Sequence, residues 1–413
     1  MEESAVQDLL KNKNRSLDIK MNQPPVQPSA AASQPQALPV APLPPLPPLT
    51  THQVASGLAK WAIERNLLSQ LPPGVDDAFL APVNPIPLTQ EAEVMLRQKE
   101  IQSISYNSVK QTVFIYTKRK VLKKDLQILP SNVSRQGIAY PQGLMDSVGK
   151  EVTSPQGATF ALHSTPAGLN TYACGSSISP GNDRSAGTMG ALVRLPDGHL
   201  YGLTNNHVSA LCSHVAPGTP VLAPGVIDVG PNAIPPFTLG FHSRALEMRV
   251  GSLGNVDFAS NLDAAVFRIA DETQVSSFQG NSFDTPLNVL DPVEGMLVRK
   301  VGRTTRDTQG LIVARELRPL DVSYNAQSYG FSGVIWFANV FAIHGDVGEF
   351  SKGGDSGSLV VAIDAAGVIL GAVGLIFAGG GDSSAPGGYR SSMLPLRPIL
   401  NALNANLVGG HNV

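Results

Sequence analysis

The sequence Gly353-Gly-Asp-Ser-Gly-Ser carries a serine in a glycine-rich turn that leads into an apolar run beginning at Ser358. A serine hydroxyl is a weak nucleophile at neutral pH, so it needs a base and donors for a developing oxyanion. Flanking glycines allow a tight turn in which the amides of Gly354 and Ser356 point into one small cavity. The pattern predicts a nucleophilic Ser356, with a plain glycine-rich loop between strands as the alternative. It differs from the nucleophile elbow of hydrolases, which has a glycine at the position of Ser358 and a helix after it.

A histidine and an aspartate in suitable contexts precede this serine in the chain. His207 follows an apolar run that ends in small polar residues, and His214 is its nearby competitor. Asp263 stands at the start of the apolar run Ala-Ala-Val-Phe, where a carboxylate is costly unless it is paired. A turn-capping role is the alternative for Asp263, and Asp257 is its rival. The order histidine, aspartate, serine is that of the chymotrypsin triad and differs from those of subtilisin and the α/β-hydrolases.

The chain resembles the trypsin-like peptidase superfamily in four motifs, which are Leu203-Thr-Asn-Asn-His-Val, Asp263-Ala-Ala-Val, Gly302-Arg-Thr-Thr and Gly354-Asp-Ser-Gly-Ser. Further segments are similar to intracellular bacterial proteases related to the plant narrow-leaf trypsin-like proteins, namely Val113-Phe-Ile-Tyr-Thr-Lys-Arg-Lys, Gly187-Thr-Met-Gly-Ala-Leu-Val and Val373-Gly-Leu-Ile-Phe-Ala-Gly. The resemblance covers roughly residues 88–407 and leaves the proline-rich head outside. It implies a mainly β, chymotrypsin-like double β-barrel with the active site in the cleft between the barrels.

The resemblance also implies a serine endopeptidase and a role for each site residue. His207 would be the general base, Asp263 would orient its imidazole, and Ser356 would attack the peptide carbonyl. The amides of Gly354 and Ser356 would form the oxyanion hole, where losing one donor typically costs a factor of about 100 to 1,000 in turnover. A protein or peptide substrate would pair as an added strand in a cleft lined by Phe377, Ala378 and Gly379. No cofactor and no metal are expected.

The sequence departs from trypsin in two respects, which are how the site is activated and which residue selects the substrate. Trypsin zymogens are activated when a new N-terminus pairs with the aspartate beside the nucleophile, and no matching cleavage signature is present. Arg303 resembles the arginine that secreted bacterial relatives use for that pairing, so we expect an Arg303–Asp355 ion pair that keeps the site preformed. Phe350 falls near the position where trypsin holds the aspartate that selects basic residues. We therefore place Phe350 in the substrate cleft and expect no preference for Lys or Arg.

Charge and composition narrow the class of protein. The 30 Lys and Arg balance 32 Asp and Glu, so no electric field favours nucleic acid or a membrane as a partner. The 40 Gly and 33 Pro are typical of a turn-rich β protein, and no apolar run is long and clean enough to span a bilayer. Cys174 and Cys212 cannot build a disulfide framework and lack metal-site spacing. Because the acidic first residues lack a signal-peptide pattern, we expect a cytoplasmic protein with free thiols.

The composition divides the chain into four zones. Residues 1–51 contain ten prolines between Pro24 and Pro48 and are predicted to be a disordered, Pro-rich tether, with a polyproline ligand as the alternative. Residues 52–87 form a short helix and a linker, either docking on a partner or packing on the chain's own protease domain. Residues 88–150 form a small α/β domain. Residues 151–413 alternate short strands with turns, which is typical of a barrel, and form the protease domain.

Periodicity places the elements inside these zones. Apolar residues at helical spacing predict helices over residues 52–71, 90–104 and 396–407. Residues 112–117 and the runs that begin at Gly190, Ala264 and Ser358 are predicted to be strands.

The sequence alone leaves other functions open. A catalytically inactive barrel of the same fold, used as a scaffold or binding module, is the main alternative to an endopeptidase. The basic run 118–124 is a candidate nucleic-acid contact, but it lacks interleaved aromatic residues and equally fits a solvated strand end. Oligomeric state is open, and the resemblance allows a homo-oligomer.

Overall fold

The computed structural model describes residues 47–413 apart from residues 150–152, 154, 156, 231–233, 252–257 and 259. Most of the predicted Pro-rich tether therefore lies outside the described residues. Residues 48–413 form one compact unit. No helix among the described residues is long and apolar enough to cross a membrane.

The described residues contain five α-helices, which are α1 (Thr51–Glu64), α2 (Val75–Phe79), α3 (Gln90–Lys99), α4 (Asn206–Ser209) and α5 (Leu396–Leu403). The strands are β1 (Ile101–Asn107), β2 (Thr112–Thr117), β3 (Asn132–Val133), β4 (Gln136–Ala139), β5 (Leu162–Ser164), β6 (Asn170–Cys174), β7 (Ser177–Pro180), β8 (Gly187–Thr188), β9 (Ala191–Arg194), β10 (Leu200–Thr204), β11 (Pro220–Ala223), β12 (Phe237–Ala245), β13 (Ala265–Ile269), β14 (Val275–Gln279), β15 (Phe283–Asp284), β16 (Leu297–Gly302), β17 (Arg306–Glu316), β18 (Leu320–Ala326), β19 (Phe331–Phe337), β20 (Phe341–Gly345), β21 (Leu359–Ile363), β22 (Ile369–Gly381), β23 (Tyr389–Pro395) and β24 (Asn406–Val408).

Six strands of the C-terminal half close into a β-barrel. Their order is β16, β21, β22, β23, β20 and β17, and β17 is hydrogen-bonded back to β16. Successive side chains of a strand point to opposite faces, so each strand directs alternate residues inward. Each of the six strands contributes at least one buried residue to a shared core, which includes Val298, Ile312, Ile343, Val360, Val373 and Met393.

The N-terminal half of the protease region is a half-barrel. Its eight strands run in the order β24, β9, β10, β13, β12, β11, β7 and β8. One hydrophobic core joins the two halves and includes Val193, Leu203, Val266, Leu359, Leu375 and Phe377. A single core of this kind fixes the two barrels against each other and so fixes the cleft between them. The predicted mainly β, chymotrypsin-like double β-barrel is confirmed.

The predicted α/β unit is present but continues the sheet of the second barrel. Strand β2 is found where it was predicted, and β1 pairs with both β2 and β17. The helix predicted over residues 90–104 is wrong at its end, because α3 stops at Lys99 and Ile101 begins β1. Glu100, between them, has a φ of +59°, which lies outside the helical region and so ends the helix. The predicted C-terminal helix also ends early, since α5 stops at Leu403 and β24 follows.

Helix α1 packs on its own chain, as one of the two interpretations of residues 52–87 had it. Thr50 caps the helix in a capping box with Gln53. Its apolar face, including Leu58 and Trp61, shares a core with strands β1 and β2. The docking alternative would need this face to be free, and it is buried.

Candidate active site

Two paired strands bring His207 and Asp263 together. Thr204, at the end of β10, lies opposite Ala265, at the start of the antiparallel β13. His207 follows β10 on the short helix α4, and Asp263 lies just before β13, so both stand at the same edge of the half-barrel. The positions of the two residues are therefore set by the strand that leads to His207 and the strand that follows Asp263.

The Asp263 carboxylate is fully buried and accepts three hydrogen bonds. Its Oδ2 lies 2.5 Å from His207 Nδ1 and accepts from the Tyr324 hydroxyl at 2.9 Å. Its Oδ1 accepts from the His207 amide at 3.0 Å. Because a carboxylate only accepts, the imidazole proton belongs on Nδ1, which leaves Nε2 with a free lone pair. Burial, and then the Asp263 charge, raise the pKa of Tyr324 well above its usual range, so the phenol stays a donor.

Ser356 lies in the turn between β20 and β21 of the second barrel. Gly354 has a φ of +95°, and a Cβ there would lie 2.5 Å from Thr304 Oγ1, so the turn requires glycine at this position. Among the described residues, the amides of Gly354 and Ser356 donate no hydrogen bond. Two unused amides in a glycine turn are what an oxyanion hole requires.

The predicted ion pair between Arg303 and Asp355 is wrong. Asp355 is fully buried, and its carboxylate accepts instead from the backbone amides of Thr304, Thr305 and Lys352, at 2.7 to 3.3 Å. Its cationic neighbour is Lys300, whose Nζ lies 3.6 Å away. Burial lowers the pKa of Lys300, and the Asp355 charge opposes that shift. The turn before Ser356 is therefore anchored by amides and a lysine.

Arg303 supports the same turn from the other side. Its guanidinium makes two hydrogen bonds to the buried carboxylate of Asp228, and its amide donates to Thr188 Oγ1 at 3.1 Å. Thr188 belongs to the half-barrel, yet its hydroxyl donates to the Gly354 carbonyl and its amide to the Ser356 carbonyl, both at 2.9 Å. Thr188 thus ties the serine turn of one barrel to the sheet of the other.

His207 and Ser356 line one cavity of about 820 Å³ between the two barrels. The predicted cleft residues Phe377, Ala378 and Gly379 line it as well. Among the described residues, no hydrogen bond joins His207 Nε2 to Ser356 Oγ. Catalytic hydrogen bonds are often long without substrate, so this geometry is compatible with proton transfer once a substrate is bound.

Phe350 is wrongly assigned to the substrate cleft. Its side chain is fully buried in the core of the second barrel, with the Lys300 ammonium 5.8 Å from its ring centre. Its neighbours Glu349 and Ser351 line the cavity instead. Phe350 lies in the irregular connection between β20 and β21, where counting back from the serine does not tell which side chain faces the cavity.

His214, the competing histidine, does not join the site. His214 Nδ1 pairs with the Leu211 carbonyl at 2.8 Å, and its ring packs against Phe331. Asp257 lies outside the described residues. Cys212 lines the cavity, but burial raises the pKa of its thiol and the Asp263 charge raises it further, so it stays protonated. No group of three or more His, Cys, Asp or Glu among the described residues could hold a metal ion.

Sequence reasoning missed three supporting residues, which are Tyr324, Thr188 and Asp228. Tyr324 sits in the alternating pattern of β18, and nothing local marks its hydroxyl as a partner of a residue 61 positions earlier. Thr188 belongs to the motif Gly187-Thr-Met-Gly-Ala-Leu-Val, but a motif does not show what the threonine hydroxyl contacts. Asp228 has no motif at all.

Comparison with known proteins gives fold-level likenesses. No protein-family model and no curated protein matches the sequence. Among solved structures, the chain is similar to Thermobifida fusca Protease A, with 18% identity over 58% of this chain and 100% of that chain, at a TM-score of 0.36. It is also similar to Nocardiopsis Protease, with 19% identity, and to Cellulomonas bogoriensis chymotrypsin, with 17% identity. Each of these two matches covers 57% of this chain and 97% of the other chain, at a TM-score of 0.35. At these identities and scores no residue role is transferred, and the narrow-leaf relationship stays a prediction.

We expect Tyr324→Phe to lower the free energy of unfolding by about 2 kcal/mol, because a buried carboxylate loses one of its donors. Urea unfolding followed by tryptophan fluorescence measures the change. Tyr329→Phe is the matched control, since its hydroxyl accepts only from Asn182 at an exposed site and its loss should cost little. Equal effects of the two substitutions would contradict this role for Tyr324.

Proposed function

We propose that the protein is a serine endopeptidase that hydrolyses protein or peptide substrates. One observation carries the proposal: the buried Asp263–His207 pair opens into the same cavity as Ser356. The unused amides of Gly354 and Ser356 add to it, because they supply donors for an oxyanion beside the nucleophile. The three residue types, their order, and the cavity that His207 and Ser356 share agree with one chemistry.

In the proposed mechanism, Ser356 Oγ attacks the carbonyl carbon of the scissile bond while His207 Nε2 accepts the hydroxyl proton. The carbonyl oxygen becomes an oxyanion that accepts from the amides of Gly354 and Ser356. When the tetrahedral intermediate collapses, the imidazolium gives its proton to the leaving amine and an acyl ester remains. Water, deprotonated by His207, then hydrolyses the ester. Asp263 stays ionised throughout and stabilises the imidazolium.

The anchored turn supports a site that is formed before substrate binds. The amides that hold Asp355 and the Thr188 hydroxyl that holds Gly354 fix the backbone on each side of Ser356. Oxyanion donors act best when they need no reorganisation during the reaction. No new N-terminus is needed for this arrangement, in keeping with the lack of a zymogen signature.

We also propose a cytoplasmic location. Cys174 and Cys212 are both free thiols, and burial raises the pKa of each. Thiols of this kind persist in a reducing compartment, where disulfides are rare.

A fluorophosphonate probe tests the proposed nucleophile. We expect the folded protein to be labelled at one serine, and Ser356→Ala to abolish the labelling, because the probe needs an activated hydroxyl. Ser328→Ala is the matched control, since Ser328 is an exposed serine that lines the same cavity. In-gel fluorescence and peptide mapping give the result. A well-folded protein that takes no label would favour the inactive scaffold instead.

Cys212 provides a second test, because a thiol in the cavity is the alternative nucleophile. Its raised pKa leaves almost no thiolate at neutral pH, so iodoacetamide should not slow peptide hydrolysis or probe labelling. Cys212→Ser should keep the activity within about threefold. Rapid alkylation of Cys212 with parallel loss of activity would point to a cysteine-type enzyme.

A further inference from the structure

A segment of the chain itself lies along the edge of β22 that faces the cavity. The Asp146 amide donates to the Gly379 carbonyl at 2.9 Å, and the Gly381 amide donates to the Leu144 carbonyl at 2.9 Å. Met145 faces Gly380 in an antiparallel bridge. Residues 144–149 are called the cleft segment here. Its pairing begins at Gly379, the last of the three residues on which we expect a substrate strand to pair.

The cleft segment then crosses to the hairpin that holds Asp263. The Val148 amide donates to the Ser323 carbonyl at 2.8 Å, and the Asn325 amide donates to the Val148 carbonyl at 2.9 Å. Both acceptor and donor flank Tyr324, the residue that hydrogen-bonds Asp263. The cleft segment thus bridges the two walls of the cavity by backbone contacts at alternate residues, as an added strand does.

The cleft segment lies in the catalytic cavity itself. Asp146, Val148 and Gly149 line the same space as His207 and Ser356. Leu144, Asp146 and Gly149 are exposed, while Met145 and Val148 are half-buried and pack against the core that joins the two barrels. Its pairing with both walls of the cavity is made by main-chain hydrogen bonds, and these are the bonds that any extended peptide can offer in exchange.

We propose that the cleft segment is an intramolecular ligand of the peptide-binding edge, which an extended substrate must displace. This inference rests on the proposed endopeptidase function and adds a regulation of its site. The Gly379 carbonyl and the Gly381 amide cannot pair with a substrate strand while they pair with the segment. A tethered competitor acts at an effective concentration on the order of millimolar, so long peptides meet strong competition. A small reagent that contacts only Ser356 does not compete with the segment for the strand edge.

The test compares two variants that disturb the backbone pairing of the segment with one that keeps this pairing. Asp146→Pro removes the amide that donates to Gly379, whereas Asp146→Ala keeps it and removes only the carboxylate. Gly149→Ala acts independently, because Gly149 has a φ of +81° and a Cβ there would lie 2.0 Å from the Asn325 carbonyl oxygen. All three are made in the full chain carrying Ser356→Ala, so that binding is measured without hydrolysis. Urea unfolding identifies any variant that fails to fold.

The probe is a fluorescent synthetic peptide with the sequence of residues 142–149, and fluorescence anisotropy gives its affinity. We expect Asp146→Pro and Gly149→Ala each to bind it at least tenfold more tightly than the Asp146→Ala control. Equal affinity for all three, or no measurable binding to any folded variant, would overturn the proposal.

Fluorophosphonate labelling of the same variants with Ser356 restored separates this proposal from the catalytic one. Labelling rates within about threefold of one another are expected, because the probe does not need the strand edge. A gain in peptide binding without any labelling would support the cleft segment as a ligand and contradict the endopeptidase function.

Discussion

The site depends on one buried charge. The Asp263 carboxylate has no contact with solvent, and an unpaired charge in such a place costs several kcal/mol. Three parts of the chain meet this cost together: the start of β13 carries the carboxylate, α4 brings the His207 ring and amide, and the β18 hairpin brings the Tyr324 hydroxyl. The hydrogen bonds from His207 that stabilise the buried carboxylate also fix the tautomer and the orientation of the imidazole.

The second half of the site is held in the same manner. Asp355 is also buried, and the amides that satisfy it come from the turn that follows β16 and from the serine turn itself. Thr188 joins this turn to the half-barrel, so the two barrels cannot move apart without breaking contacts beside Ser356. The cleft segment adds backbone bridges across the opening. One set of hydrogen bonds therefore holds the serine turn in place, and a separate, neighbouring set holds the cleft segment across the opening of the cavity.

Much of this could be predicted from the sequence, because short buried strands leave apolar runs bounded by glycine and polar turns. The strands beside His207, Asp263 and Ser356 follow from such signals, whereas the double barrel and the cleft that His207 and Ser356 share follow from the resemblance. The error at Arg303 has a different origin: its partner Asp228 lies 75 positions away, and a motif identifies a residue without identifying its contact. Phe350 was misplaced because it lies in an irregular connection, where residue counting does not determine the direction of a side chain.

The most direct test of the central claim is whether His207 and Ser356 act as one unit. The measurement is the rate of hydrolysis of an activated ester by His207→Ala, Ser356→Ala and the double variant, each checked for folding. Residues that share a mechanism are strongly non-additive, so the double variant should be no slower than the Ser356→Ala variant. Losses that multiply in the double variant, or full activity of His207→Ala, would contradict the account.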